Sequence, residues 1–207
     1  MNSQVVIVDY GMGNLHSIIR KIHLLGHTWQ ISNQPEVISK AEKLILPGVG
    51  HFGKAMEKLQ QMHLTEALHE AVIKRGMPVL GICLGMQLMA TFSEEGNTEG
   101  LGWFDARVVK FQITDTTQFK IPHIGWNQVF NRKTCPIMQG IEDGTEFYFV
   151  HSYHWKTEQK EQEVHETIYE YPFTSAISKD NIFGVQYHPE KSHDSGLILL
   201  DNFLKLK

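Results

Sequence analysis

The stretch PVLGICLGMQ at 78–87 decides the fold. Its first half, PVLGIC, is a short apolar run with proline at its start, which reads as a buried strand. Its continuation, LGMQLMATF, reads as a short helix that ends before the polar loop SEEGNTEG. Cys83 stands at the corner between them, flanked by Gly81 and Gly85. This is the cysteine version of the G-x-S-x-G nucleophile elbow. The glycines leave room where a Cβ would clash in a tight strand-to-helix corner. The helix start offers unpaired N–H groups and a positive dipole end, which favour a thiolate. The N–H of Leu84 is placed to donate to an oxyanion. A small apolar filler at a packed strand end would use the same residues, so the rest of the chain must decide.

Working outward, VVIVDYG (5–11) is another apolar run, ending in the turn GMGN. LHSIIRKIHLLG follows with apolar residues at 15, 18, 19, 22 and 25 and a closing Gly26, a helical period with a glycine stop. TWQIS (28–32) and KLILPG (43–48) are strand-like; FGKAMEKLQ and LTEALHEAVIKRG read as helices, the second ending at Gly76. The central strands are apolar throughout, which predicts a parallel sheet covered on both faces. The second half changes character. ARVVKF, GWNQVF, EFYFVHSY, ETIYEY, FTSAIS and IFGVQYH are rich in aromatic and β-branched residues, with KDN (179–181) as a hairpin turn. The charged stretch KTEQKEQEVHE (156–166) reads as a solvated loop or hairpin, and SGLILLDNFLK as a final helix. The expected fold is α/β, a mostly parallel central sheet flanked by helices with an added antiparallel β portion in the second half, in a single domain over 1–207.

Composition narrows the function classes. With 42% hydrophobic and 20% charged residues the chain is ordinary for a globular protein. A net charge of −4 argues against nucleic acid or an anionic membrane as the main partner. No apolar stretch approaches the roughly 20 residues that span a bilayer. The start, MNSQVVIVDYG, has no basic region and no cleavage site, which predicts a cytoplasmic location with Cys83 and Cys135 as reduced thiols.

A thiol nucleophile needs a base. YHPE (187–190) follows the strand-like IFGVQ. His188 and Glu190 lie two apart, so on a continuing strand they face one side and Glu190 can orient the imidazole. A His-Pro turn leaving a sheet is the plainer reading of the same residues. LPGVG (46–50) follows another central strand, and glycines on both sides of Val49 make its peptides easy to turn over; a backbone N–H here is a candidate second oxyanion donor. GMGN lacks the third glycine of a dinucleotide fingerprint, because His16 occupies that position. His151, His154, His188 and His193 have no metal-ligand spacing beside them, and neither a metal nor a cofactor is expected.

Together these residues resemble the class I glutamine amidotransferases, whose domain is flavodoxin-like. PGVG (47–50), GICLGMQ (81–87) and GVQYHPEKS (184–192) match in order. DYGMGNL (9–15), PGVGHFG (47–53), SEE (93–95), PHIGWN (122–127) and YFVHSY (148–153) are similar to the glutaminase-subunit family of imidazole glycerol phosphate synthases. The resemblance implies a Cys83–His188–Glu190 triad that hydrolyses glutamine to glutamate and ammonia through a glutamyl thioester. It implies an oxyanion hole from Leu84 and the Gly48–Val49–Gly50 segment. Gly50, Gln87 and Glu95 are then expected to bind glutamine, and His151, Ser152 and Tyr153 its α-carboxylate. Tyr10, Asn14 and Trp126 are expected near the face that docks a (β/α)8 cyclase subunit in a heterodimer. The same residues fit a paralogue that supplies ammonia for sugar modification, and, from another class, an inactive binding subunit on the same fold.

Overall fold

The computed structural model describes residues 4–206. Its first half alternates β1 (Val5–Val8), α1 (Leu15–Leu24), β2 (Trp29–Ser32), α2 (Pro35–Ser39), β3 (Leu44–Leu46), α3 (Phe52–Gln61), α4 (Leu64–His69), β4 (Val79–Ile82) and α5 (Leu84–Gln87). Every residue of β1, β3 and β4 is buried. Their successive side chains enter opposite faces, as the strand period requires. Val6, Val8, Leu44 and Leu46 pack with Phe52, Met56 and Leu59 of α3 and Leu64 and Leu68 of α4. Val5, Ile7, Ile45, Leu80 and Ile82 pack with Ile18 and Ile22 of α1 on the other face. Each such side chain contributes about 1.5–3 kcal/mol relative to an exposed one.

The second half carries β5 (Ala90–Ser93), β6 (Thr98–Glu99), β7 (Phe104–Lys110), β8 (His123–Asn131), β9 (Thr145–His151), β10 (Tyr153–Lys156), β11 (Glu163–Tyr169), β12 (Tyr171–Lys179), β13 (Ile182–Val185) and α6 (His193–Lys205). The strand order is β2-β1-β3-β4-β13-β12-β10-β7-β5-β6. The first five run parallel, β13 entering beside β4 with Val185 opposite Ile82. From β13 the sheet turns antiparallel through β12, β10 and β7. A side branch runs from β12 through β11 and β8 to β9. The carboxyl ends of β3, β4 and β13 lie side by side, the usual place for a site in an open α/β sheet.

Several segments differ from the sequence reading. The predicted helix LGMQLMATF stops at Gln87, and ATFS forms β5, parallel to β7. Thr91 and Phe92 suit a pleated surface, and the Arg107 guanidinium lies 4.5 Å from the Phe92 ring centroid. PEVIS carries no helical period of its own, yet Pro35 at its first turn starts α2. LTEALHEAVIKRG is helical, but 70–74 widens to a π turn, closed by the Arg75 N–H on the Glu70 carbonyl at 3.0 Å. EFYFVHSY is not one strand; it breaks at Ser152 between β9 and β10. The charged stretch 156–166 is solvated only in its first part. Glu163, Val164 and His165 are buried in β11. Glu163 is held by Lys160 and the Thr174 hydroxyl, and His165 by Tyr187 and Asn131, so these polar residues enter with partners.

Candidate active site

Cys83 follows β4 directly. Its N–H donates to the Val185 carbonyl at 2.8 Å, which ties the elbow to β13. Its φ of 54° lies in the left-handed region, a strained state for a residue with a Cβ. That twist throws the side chain off the sheet edge while α5 begins at the next residue. The close packing requires Gly85: a Cβ there would stand 1.8 Å from the Leu46 carbonyl oxygen at the end of β3. The Leu84 N–H opens α5 and so has no intrahelical acceptor.

His188 lies beyond the end of β13, and Glu190 sits in a 3-10 turn at 189–191 rather than on a continuing strand. The turn still brings them together: His188 Nδ1 is 2.8 Å from Glu190 Oε1. Ser192 fixes this turn. Its hydroxyl donates to the His188 carbonyl at 2.6 Å and accepts from the Tyr148 N–H at 3.0 Å. Burial disfavours the charged form of His188, but the Cys83 sulfur and the Glu190 carboxylate more than offset it and raise the imidazole to about 10. Its Nε2 is buried and makes no hydrogen bond among the described residues. With Nδ1 committed to a carboxylate and the sulfur beside it, the ring can take the thiol proton and hold it as an imidazolium paired with the thiolate.

These groups open on a cavity of about 390 Å³. Of the residues expected from the sequence, Val49, Gly50, Cys83, Leu84, Gln87, Glu95, His151, Ser152, Tyr153 and His188 all line it. Pro122 and Val150 line it too; they lie within the PHIGWN and YFVHSY motifs, but no role was expected of either residue. Gln87 donates to the Tyr153 carbonyl at 3.0 Å, and Glu95 accepts from the Phe52 N–H at 2.7 Å. Gly48 lies behind, where a Cβ would meet the Tyr10 hydroxyl at 2.5 Å and Leu84 at 2.8 Å.

Three of these residues are already engaged with neighbours in this arrangement. The Val49 N–H is not aimed at an oxyanion in this arrangement; it donates to the Met12 carbonyl at 3.2 Å. The His151 side chain is not free for a carboxylate. Its Nδ1 meets the Tyr153 carbonyl at 2.8 Å and its Nε2 meets His123 at 3.0 Å, which leaves the backbone groups there and the Ser152 and Tyr153 side chains facing the cavity. Tyr10 is buried, its hydroxyl donating to the Pro47 carbonyl at 2.8 Å, so it supports the PGVG loop from beneath rather than standing on a surface. Burial and the nearby Cys83 push its phenol pKa up, away from ionisation. Trp126, by contrast, is exposed and stacks on the His193 ring, with centroids 4.8 Å apart. Asn14 is half-buried just before α1, with no side-chain cap bond.

A cysteine elbow, a carboxylate-held histidine and a small pocket at the carboxyl ends of a parallel sheet define a class I glutamine amidotransferase. The chain belongs to that family: the Glutamine amidotransferase class-I pattern matches residues 6–206. Its full-length relatives bear a narrower name. The Imidazole glycerol phosphate synthase subunit HisH 2 of Methanococcus maripaludis is 48% identical over 97% of this chain and 98% of its own. The Imidazole glycerol phosphate synthase subunit HisH of Neisseria meningitidis is 44% identical over 97% and 99%. In fold, the chain resembles PurLQS from Thermotoga maritima, with a TM-score of 0.72 at 16% identity, covering 99% of this chain and 98% of that one.

Proposed function

We propose that this chain is the glutaminase subunit of an imidazole glycerol phosphate synthase in histidine biosynthesis. The observation that carries the reading is the shared pocket: Cys83, Gln87, Glu95 and His188 line one small cavity with the Leu84 N–H at its edge. In the proposed reaction His188 Nε2 takes the Cys83 proton, and the sulfur attacks the side-chain amide carbon of glutamine. The tetrahedral oxyanion meets the Leu84 N–H. The imidazolium gives its proton to the departing nitrogen, so ammonia leaves and a glutamyl thioester remains. Water then attacks the thioester, with His188 as base, releasing glutamate and restoring the thiol.

The second oxyanion donor is held away. The Val49 N–H is spent on Met12, and Gly50 beside it has φ of 105°, a conformation that suits a reversible peptide turn. In this reading the partner biases that peptide over, so glutamine is hydrolysed only when an acceptor for ammonia is ready. The proposed partner is a (β/α)8 cyclase subunit. Ammonia is mostly ammonium at neutral pH and not nucleophilic, so a dry path into the partner keeps it useful. The exposed side chains of Ile124 and Trp126 on β8, with Lys191 5.3 Å from the neighbouring Tyr148 ring centroid, offer an apolar face with a cation near it for docking.

Amide-labelled glutamine tests the assignment. This chain, the cyclase and the formimino-type phosphoribulosyl ribonucleotide are mixed, and label is sought in imidazole glycerol phosphate. Label there is the expected result. Glutamate without labelled product moves the acceptor elsewhere, a sugar being the alternative. No glutamate with any partner returns Cys83 to the role of a buried filler.

A further inference from the structure

Gln186 is fully buried at the end of β13 and is not part of the triad. Its Nε2 lies 3.6 Å from the Cys83 sulfur. Its Oε1 accepts from Gln87 Nε2 at 2.9 Å, and the same Gln87 nitrogen donates to the Tyr153 carbonyl at 3.0 Å. A carbonyl can only accept, so the Gln87 nitrogen must face Tyr153 and, with its second hydrogen, Gln186. Gln186 must therefore offer its oxygen to Gln87 and turn its nitrogen to the sulfur. One backbone carbonyl fixes the sense of the whole row.

We propose that Gln186 is a further catalytic residue, whose side-chain N–H holds the Cys83 sulfur and stabilises it as a thiolate. The neutral thiol has a second contact, the Val150 carbonyl at 3.9 Å, a weak acceptor for S–H. When His188 removes the proton, that contact loses its hydrogen, while the Gln186 N–H becomes a charge-assisted donor. The bond is therefore stronger to the anion than to the thiol, which is the condition for helping the chemical step. It helps again when the thioester breaks, because the leaving sulfur departs as a thiolate. Gln186 approaches from the β13 side and takes nothing from His188, whose Nδ1 stays with Glu190. Through Gln87 and Tyr153 the donor is also braced against the wall that receives glutamine.

This role rests on Cys83 being the nucleophile proposed above, but its test needs no glutamine. The rate of iodoacetamide alkylation is followed against pH by mass analysis of the Cys83 peptide. In Gln186→Met, of similar length and without a donor, the midpoint for thiolate formation should rise by about one to two pH units. With glutamine and partner, kcat should fall at least tenfold with KM nearly unchanged. A merely structural glutamine would lower Tm and leave the alkylation midpoint where it was; that result overturns the proposal. If Gln186→Met does not fold, the unaltered chain decides. The Gln186 side-chain amide proton should shift downfield in NMR as Cys83 ionises, and this shift should vanish in Cys83→Ala. An amide signal that ignores Cys83 ionisation overturns the proposal as well. Failure of the glutaminase reading is separate, since it shows as absent glutamate with the alkylation shift intact.

Discussion

His123 Nδ1 stands 3.0 Å from His151 Nε2, and the two rings form one directed row that starts at the pocket wall lined by His151. His151 Nδ1 faces the Tyr153 carbonyl at 2.8 Å and so must carry its proton. Its Nε2 is then an acceptor, and His123 must donate from Nδ1 and accept at Nε2 from Asn127 at 3.3 Å. Both rings are neutral. Burial pulls His123 down to about 4, and burial and then His123 pull His151 well below its ordinary value. The folded pKa values lie below the unfolded one. Below about pH 6.5 the unfolded chain takes up protons that the folded chain refuses, so stability is full above that pH and is lost as pH falls towards 4. His165, held at about 4 by burial, adds to the same window. Urea unfolding between pH 7 and 4 should show stability falling by up to about 1.4 kcal/mol per pH unit for each such histidine. In His123→Phe the slope should flatten by one histidine, at a cost of about 1–3 kcal/mol at pH 7 for the unpaired His151 nitrogen. An unchanged slope in that variant would show that His123 is not buried neutral.

The opposite shift at His188 has a distinct source. Burial alone favours the neutral ring, and the Cys83 sulfur with Glu190 reverses this to about 10. Removing the sulfur in Cys83→Ala should bring the imidazole pKa down, read from its ring resonances by NMR. Glu190→Gln keeps the shape but lets an N–H face Nδ1, which favours the wrong tautomer. There kcat should fall roughly 10²–10⁴-fold with little change in KM. A loss of kcat below tenfold would remove Glu190 from the triad.

The parallel half of the fold was legible because its central strands are short, apolar runs and its longer helices keep a helical period; α2, with no period of its own, was not. What failed were places where tertiary pairing overrode local pattern. ATFS follows a helix without a stop signal and becomes β5 only because β7 lies beside it. EVHE looks solvated in sequence, but Glu163 and His165 are buried with partners that come from 131, 174 and 187. The site was readable wherever chemistry restricts the residue type: cysteine in an elbow, histidine before a carboxylate, glycines around a mobile peptide. Gln186 stood unread within GVQYHPEKS because a glutamine gives no sign in sequence of what its amide faces. The glycines around Val49 marked a peptide that can turn over, but not the Met12 carbonyl, 37 positions earlier, that takes its N–H.

That bond suggests where activation by a partner can be blocked. Gly50 has φ of 105°, and a Cβ there would meet the Met12 methyl at 3.0 Å. In Gly50→Ala the segment is strained by about 1–3 kcal/mol and its rearrangement restricted. Because Gly50 also lines the pocket, glutamate formation by the isolated chain should fall somewhat, while the rate with partner and its ligand should drop at least tenfold further. Equal losses in both states would mean that Gly50 shapes the pocket and has no part in the switch.

Lys43 is an unusual cation to find inside, with almost none of its surface exposed. Burial lowers its pKa, and its ammonium is kept by two carbonyls at the end of α6: Leu204 at 2.6 Å and Leu206 at 2.8 Å. These are acceptors that a helix terminus cannot satisfy for itself, and a cation there also meets the negative end of the helix dipole. Lys43 precedes β3, so this one side chain ties the last helix to the centre of the sheet, with the Phe203 ring 5.9 Å away. Lys43→Met fills similar volume and spares the cost of burying a charge, but strands both carbonyls. Those effects oppose each other, and the unpaired carbonyls should win by about 1–3 kcal/mol. Thermal melts should show a lower Tm, and hydrogen exchange should show the loss concentrated in the last turn of α6. The Cys83 alkylation rate should not move, because nothing in the site leans on that turn. A melt unchanged from the parent would mean that water replaces the ammonium at no cost, and that α6 is held by its apolar face alone.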